Sequence, residues 1–155
     1  MQTLLRWKKW ILLLGLLNPV LGAQSLPETL EPQVWNVSPS ELPRVEKQLV
    51  HALWQEAVDT AFVYYLLSLT YLRMFAAEPT YTKGLQQALQ LGQEAMELQP
   101  DSEYGYLSMS EMLFVLGKKQ EASFLLHSLQ AQAEKKHRPI SWRLKLQLAR
   151  LQPAG

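Results

Sequence analysis

The chain of 155 residues contains no cysteine. That excludes a thiol nucleophile, a Cys-based metal site, a disulfide framework and a lipid-modified N-terminal cysteine. Its seven glycines do not cluster, so no glycine loop is present to cradle a phosphate. His51, His127 and His137 are far apart and lack ligand partners at metal spacing. There is no nucleophile elbow and no His–Glu metalloprotease pattern. The expectation is a protein that is not an enzyme and holds no cofactor or metal; for the alternative, a helical hydrolase, no acid–base or nucleophile set converges. Neither sign of charge dominates: 15 Lys and Arg face 14 Asp and Glu, a formal net charge of +1. The only basic cluster is Lys135-Lys136-His137-Arg138, at an apparent helix end, where cations favour the helix dipole. Without a basic stripe, nucleic acid is not an expected partner. No strand pattern competes anywhere, so the fold class is all-α.

What is present begins with a three-part N-terminus. Arg6, Lys8 and Lys9 form a basic region, Trp10 to Leu17 an apolar one, and Asn18-Pro19 breaks it ahead of the small residues near Gly22 and Ala23. This is the plan of a secretory signal peptide, residues 1–23, with cleavage expected after Ala23. An uncleaved membrane anchor is the alternative, but the run is short for a span of about 20 apolar residues. Cleavage removes three basic residues and no acidic ones, taking the formal charge from +1 to −2. An exported helical domain without cysteine fits the bacterial periplasm.

Residues 24–38 hold Pro27, Pro32, Ser25 and Ser38 and few large apolar groups, which reads as an extended linker or mobile arm, part of which Leu26, Leu30, Val34 and Trp35 could dock onto the domain. Glu28, Glu31, Glu41 and Glu46 read as solubilising acids. A helical domain over 39–151 and a tail at 152–155 follow. Ser38-Pro39-Ser40-Glu41 fits a capping box, with Ser40 as the alternative cap. Val45, Leu49, Leu53 and Ala57 recur at helical spacing; the helix ends near Asp59-Thr60 or runs on without a break. From Ala61 to Ala77 the chain is apolar nearly all round, the mark of a central buried helix. A breaker-rich loop spans Glu78 to Gly84. Helices are then expected over Leu85–Gln99, Glu103–Leu116 with Asp101 or Ser102 as cap, Glu121–Lys136 after a Gly117 stop, and Ser141–Leu151. That makes about six helices beyond the signal segment.

Tyr106, Met109-Ser110, Leu113, Gly117 and Ala122, with Leu126 and Leu129 further on, place a large aromatic, a large–small pair, a glycine turn and an early alanine in order. Tyr64, Leu67-Ser68 and Tyr71 repeat the internal spacing, and Ala88, Ala95, Leu98 and Pro100 match a second helix. The pattern resembles the tetratricopeptide repeat, a helix–turn–helix unit of about 34 residues. About eight residues too many separate Tyr71 from Ala88 by that register. Either the first helix is longer by two turns or the loop is enlarged. Lys135-Lys136-His137-Arg138 stands where the family has a proline exit. The resemblance covers roughly residues 61–134, and Trp142 begins a truncated closing unit.

The resemblance implies a short α-solenoid of antiparallel hairpins that binds another protein or peptide along its concave face. Carrying over the register points to Phe62, Tyr65, Leu69 and Leu72 from one unit and Tyr104, Leu107, Glu111 and Phe114 from the next. Leu69 and Glu111 disfavour a clamp for a C-terminal carboxylate. The expected function is an exported adaptor or scaffold in cell-envelope assembly. Core packing of those residues, or capture of residues 40–58 by the chain's own groove, is the bland alternative. A self-associating subunit, using Trp142, Leu146 and Leu148 and held by an uncleaved N-terminal helix, is the second reading.

Overall fold

The structure, a computed structural model, describes residues 26–153. The expected signal segment lies outside the described residues, as do residues 24–25 and 154–155. Among the described residues, seven α-helices follow one another: α1 Leu26–Asn36, α2 Leu42–Ala52, α3 Thr60–Ala77, α4 Thr82–Leu98, α5 Tyr104–Val115, α6 Lys119–Lys135 and α7 Trp142–Ala149. A short 3₁₀ turn, Pro39–Glu41, leads into α2. The described residues contain no strand.

Helix α3 is the centre. Phe62, Val63, Tyr65, Leu66, Leu69 and Leu72 are buried on all its sides, and α1, α2, α4 and α5 all pack against it. It is long and apolar enough to cross a membrane, yet most of it lies inside the protein. Asp59 caps it, accepting a hydrogen bond from the Phe62 N–H at 3.1 Å. Residues 39–77 therefore form two helices, not one. Ala57 turns between them with φ of 57°.

Each helix packs on the next, and α1, α3, α5 and α7 also pack on one another in order. No such contact joins α2 to α4 or α4 to α6. The odd-numbered helices thus make a continuous layer, and the even-numbered ones lie outside it. Ser68 donates to the Ala88 carbonyl at 3.1 Å, so the two small positions picked from sequence do meet. The surplus residues between them lengthen both helices. Six residues of α3 follow Tyr71 against two of α5 after Leu113, and α4 starts six residues before Ala88 where α6 starts three before Ala122. Gly84, expected in the loop, lies inside α4. A Cβ there would sit 3.2 Å from the Tyr71 carbonyl oxygen, so its smallness serves close approach and not a break.

The expected arm is the main correction. Residues 26–36 form α1, with Leu30 and Val34 fully buried. Pro27 stands in the tolerant first turn, and Pro32 costs one internal hydrogen bond on an exposed side. Tertiary bonds hold the helix. Arg73 of α3 donates to the Val34 and Val37 carbonyls at 2.7 and 2.8 Å, closing its C-terminus. The other helix ends divide. Gly117, at φ of 73°, ends α5 with Lys118 N–H bonded to the Leu113 carbonyl at 2.8 Å. The last basic cluster closes α6 in the same way through His137, at φ of 52°. Neither Asp101 nor Ser102 caps α5. Lys136 holds the Asp101 carboxylate at 2.6 Å instead, drawing it below the usual carboxylate range by hydrogen bond and charge.

Between α4 and α5 the backbones touch. A Cβ on Gly105 would overlap Met96 Cγ and stand 2.9 Å from the Met96 nitrogen and 3.1 Å from the Gly92 oxygen. The equivalent Cβ on Gly92 meets only side chains, Ser108 Cβ at 3.3 Å and Met109 Sδ at 3.5 Å. Gly105→Ala is expected to cost about 2 kcal/mol or more as an overpacked site, and Gly92→Ala clearly less. Urea midpoints of the two variants check the order.

Candidate functional site

The site is the inner face of the odd-numbered helices. Its floor is a ring cluster. Phe62 and Tyr104 lie with centroids 5.1 Å apart, and Tyr65 and Tyr104 5.6 Å apart. Such tilted pairs contribute beyond their area burial.

The residues chosen from sequence fall into two groups. Phe62, Tyr65, Leu69, Leu72, Leu107 and Glu111 are buried, while Tyr104 and Phe114 are half-buried. They do not line an open aromatic groove, and the reason is that the chain covers them itself. Leu69 and Leu72 share one core with Leu30 and Val34 of α1. Arg143 of α7 lies over the rings of Phe62 and Tyr104, 5.0 and 5.7 Å from their centroids. Arg150 lies 4.3 Å over Phe114. Arg143 of α7 and Arg150 at its C-terminal cap, not residues 40–58, provide this cover.

Two ion pairs fix α7 in place. The Arg143 guanidinium meets Glu31 of α1 bidentately, Nε at 2.6 Å and Nη2 at 2.7 Å. The geometry is planar fork to carboxylate, the stronger form of such a bond. Arg150 Nη1 pairs with Glu111 of α5. Glu31 is therefore no solubilising surface acid; only 9% of its side chain is exposed. Between the two arginines, Gln147 is buried. Its Nε2 donates to the Leu107 carbonyl at 3.3 Å, and its Oε1 has no partner.

These pairs shift the neighbouring titrations. Burial opposes the Arg143 charge, but the hydrogen bonds and charge of Glu31 outweigh it and hold the guanidinium above its ordinary value. Burial, then the Glu31 charge, pushes the Tyr65 phenol well up. Burial raises Tyr104 too, with Arg143 working against it. On the far side of α3, burial and a 2.6 Å bond to Glu46 raise Tyr71.

A hollow of about 190 Å³ remains between α1 and α7, lined by Trp35, Tyr65, Glu111, Trp142, Arg143, Leu146, Gln147 and Arg150. Its rim is apolar and open: Trp142 is 54% and Leu146 52% exposed. Tyr104 faces a second hollow of about 290 Å³, bounded by Asp101, Lys136, Arg138, Ser141 and Leu144. Among the described residues, no group of three or more His, Asp or Glu stands close enough to hold a metal ion. The chemistry on offer is apolar contact and charge-assisted hydrogen bonding.

Of the hollow's lining, the sequence points to Tyr65 and Glu111 by register, to Trp142 and Leu146 only as a self-association surface and to Trp35 only as an anchor for the arm, and it gives no role to Arg143 or Arg150. The signal was there: Arg143, Gln147 and Arg150 at i, i+4 and i+7 share a helix face with Leu144. Reading the helix by its aliphatic residues alone hid it. Compared with known proteins, the chain matches no family model, no curated protein and no solved structure.

Glu31→Gln leaves Arg143 charged, buried and half-paired, at an expected cost of about 3 kcal/mol. Glu41→Gln breaks an exposed pair with Arg44 and changes stability by less than about 0.5 kcal/mol. Chemical denaturation distinguishes them. The fold holds Tyr65, Tyr71 and Tyr104 as neutral phenols. Their folded values are raised, so their contribution is intact below the unfolded phenol value of about 10 and falls as pH rises above it. Phenolate absorbance in an alkaline titration is expected to show these three ionising late and together with unfolding.

Proposed function

We propose that this chain is a protein-interaction adaptor built from tetratricopeptide-like hairpins, exported to the periplasm and used in cell-envelope assembly. Three hairpins, α1–α2, α3–α4 and α5–α6, closed by α7, account for the alternation of inner and outer helices. The Ser68–Ala88 contact supports the repeat register in the unit that departs most from it. The N-terminal plan of residues 1–23 supports export.

One observation carries the binding reading. The inner layer holds a hollow whose rim exposes Trp142 and Leu146 beside two largely buried carboxylates, Glu31 and Glu111, each paired with an arginine. An apolar rim around buried charge is how interface hot spots are built. A partner segment is bound by burying its apolar side chains between Trp35 and Trp142.

Affinity capture from an envelope fraction tests this, with Trp142→Ala combined with Leu146→Ala. Loss of the captured partner by about tenfold or more is expected, with helical circular dichroism unchanged. Phe124→Ala, on an exposed ring of α6, is expected to leave capture intact. Equal capture by all three proteins would reject the inner face as the dock. The same exposed Trp142 and Leu146 also favour a second reading, self-association. Light scattering separates the two, since a monomer throughout the micromolar range argues against it.

A further inference from the structure

We infer that the inner face of α1, α3 and α5 is a receptor for an α-helix bearing two arginines two turns apart, and that α7, together with Arg150 at its C-terminal cap, is its built-in occupant. The proposal rests on the adaptor reading and names the partner's chemistry.

The argument starts from the two carboxylates. Glu31 and Glu111 come from different helices and are each about nine-tenths buried, with 9% and 10% of the side chain exposed. They sit among rings and aliphatic groups. A buried carboxylate without a cation is strongly unfavourable. Among the described residues their only ion-pair partners are Arg143 and Arg150. Without α7 the face is anionic at two fixed points. Seven residues on a helix span about 10.5 Å and return to nearly the same side. The face therefore selects a helix with arginine at i and i+7.

Helix α7 fits this face imperfectly. It is eight residues long and buries only Leu144 and Gln147. Its backbone packs on α5 and α6 and not on α1. Trp142 and Leu146 point partly to solvent, the hollow beside them is unfilled, and Gln147 Oε1 lacks a partner. A partner helix with the same two arginines and a larger apolar group facing the hollow satisfies the face better. The exchange costs no stranded charge, since each carboxylate trades one arginine for another. The loop from Lys136 to Ser141, with His137 at positive φ and Pro139, joins α7 to the rest.

The test uses the full chain and a labelled synthetic peptide of residues 139–153. In the chain, Arg143→Glu with Arg150→Glu sets α7 against Glu31 and Glu111. Fluorescence anisotropy is expected to show the wild-type peptide binding this variant about 100-fold tighter than the wild-type chain. A peptide carrying both reversals is expected not to bind. Adding Glu31→Gln and Glu111→Gln to the variant chain is expected to abolish binding. Equal binding of the two peptides, or none by either to a variant that keeps its helicity, overturns the proposal. Should the variant lose its helicity, hydrogen exchange on the wild-type chain decides. Amides of α7 are then expected to exchange about 100-fold faster than those of α3, and equal rates overturn it. Dimers of the wild-type chain with exchanged α7 would make a second copy the occupant and overturn the assignment to a partner. Peptide discrimination without envelope capture would remove the adaptor reading and leave the receptor face standing; capture without discrimination would do the reverse.

Discussion

The burial of α3 on every side governs this protein. A helix with one apolar stripe needs one neighbour. A helix apolar all round needs several, and they must arrive from both directions along the chain. Here α1 and α2 come from the N-terminal side and α4 and α5 from the C-terminal side. The polar groups of α3 are spent on the same task. Arg73 closes the end of α1, Tyr71 reaches Glu46 of α2, and Ser68 reaches the backbone of α4. Each satisfies a group that would otherwise be buried without a partner. The stack is thus organised around one element and not merely strung along the chain.

How far this was legible in the sequence depends on the distance over which each feature acts. Helices α3 to α7 were legible because their signals are local. The cap at Asp59, the stop at Gly117 and the apolar period each lie within a few residues of their effect. The spacing of Ser68 and Ala88 was legible as an excess, though not as the extra turn on each helix that absorbs it. Helix α1 was not legible. Its burial rests on Leu30 and Val34, its acid Glu31 looks like a surface residue, and Pro32 argues against a helix. What makes it a helix is Arg73, more than thirty residues on, and Arg143, 112 residues on. Composition carries no trace of such pairings.

The candidate site shows the same division. Tyr65 and Glu111 line the hollow, and the expected repeat register places them inward. Phe62, Leu69, Leu72 and Leu107, expected inward by the same register, are core residues, because a register cannot say whether an inward position stays open. Two helices at the ends of the chain decide that. The residues that do so, Glu31, Arg143 and Arg150, belong to the weakest parts of the repeat pattern.

Buried ion pairs are poor devices for stability, because desolvation offsets most of the attraction, and better devices for choosing among partners. The Arg143–Glu31 pair follows that logic, and Glu111 is as buried as Glu31 although its partner Arg150 is 41% exposed. An aliphatic helix laid across Glu31 and Glu111 would strand two carboxylates, while one with a single arginine would strand one. Only a helix with both charges in register avoids that cost. In the proposed receptor, Trp35, Trp142 and Leu146 would supply area that any apolar group can use and so would set affinity without much selection. On that proposal affinity and selection would be carried by different residues, the apolar groups at the rim of the hollow and the two carboxylates beside it. A change at the rim should weaken all ligands alike, and a change at the floor should alter which ligand is preferred.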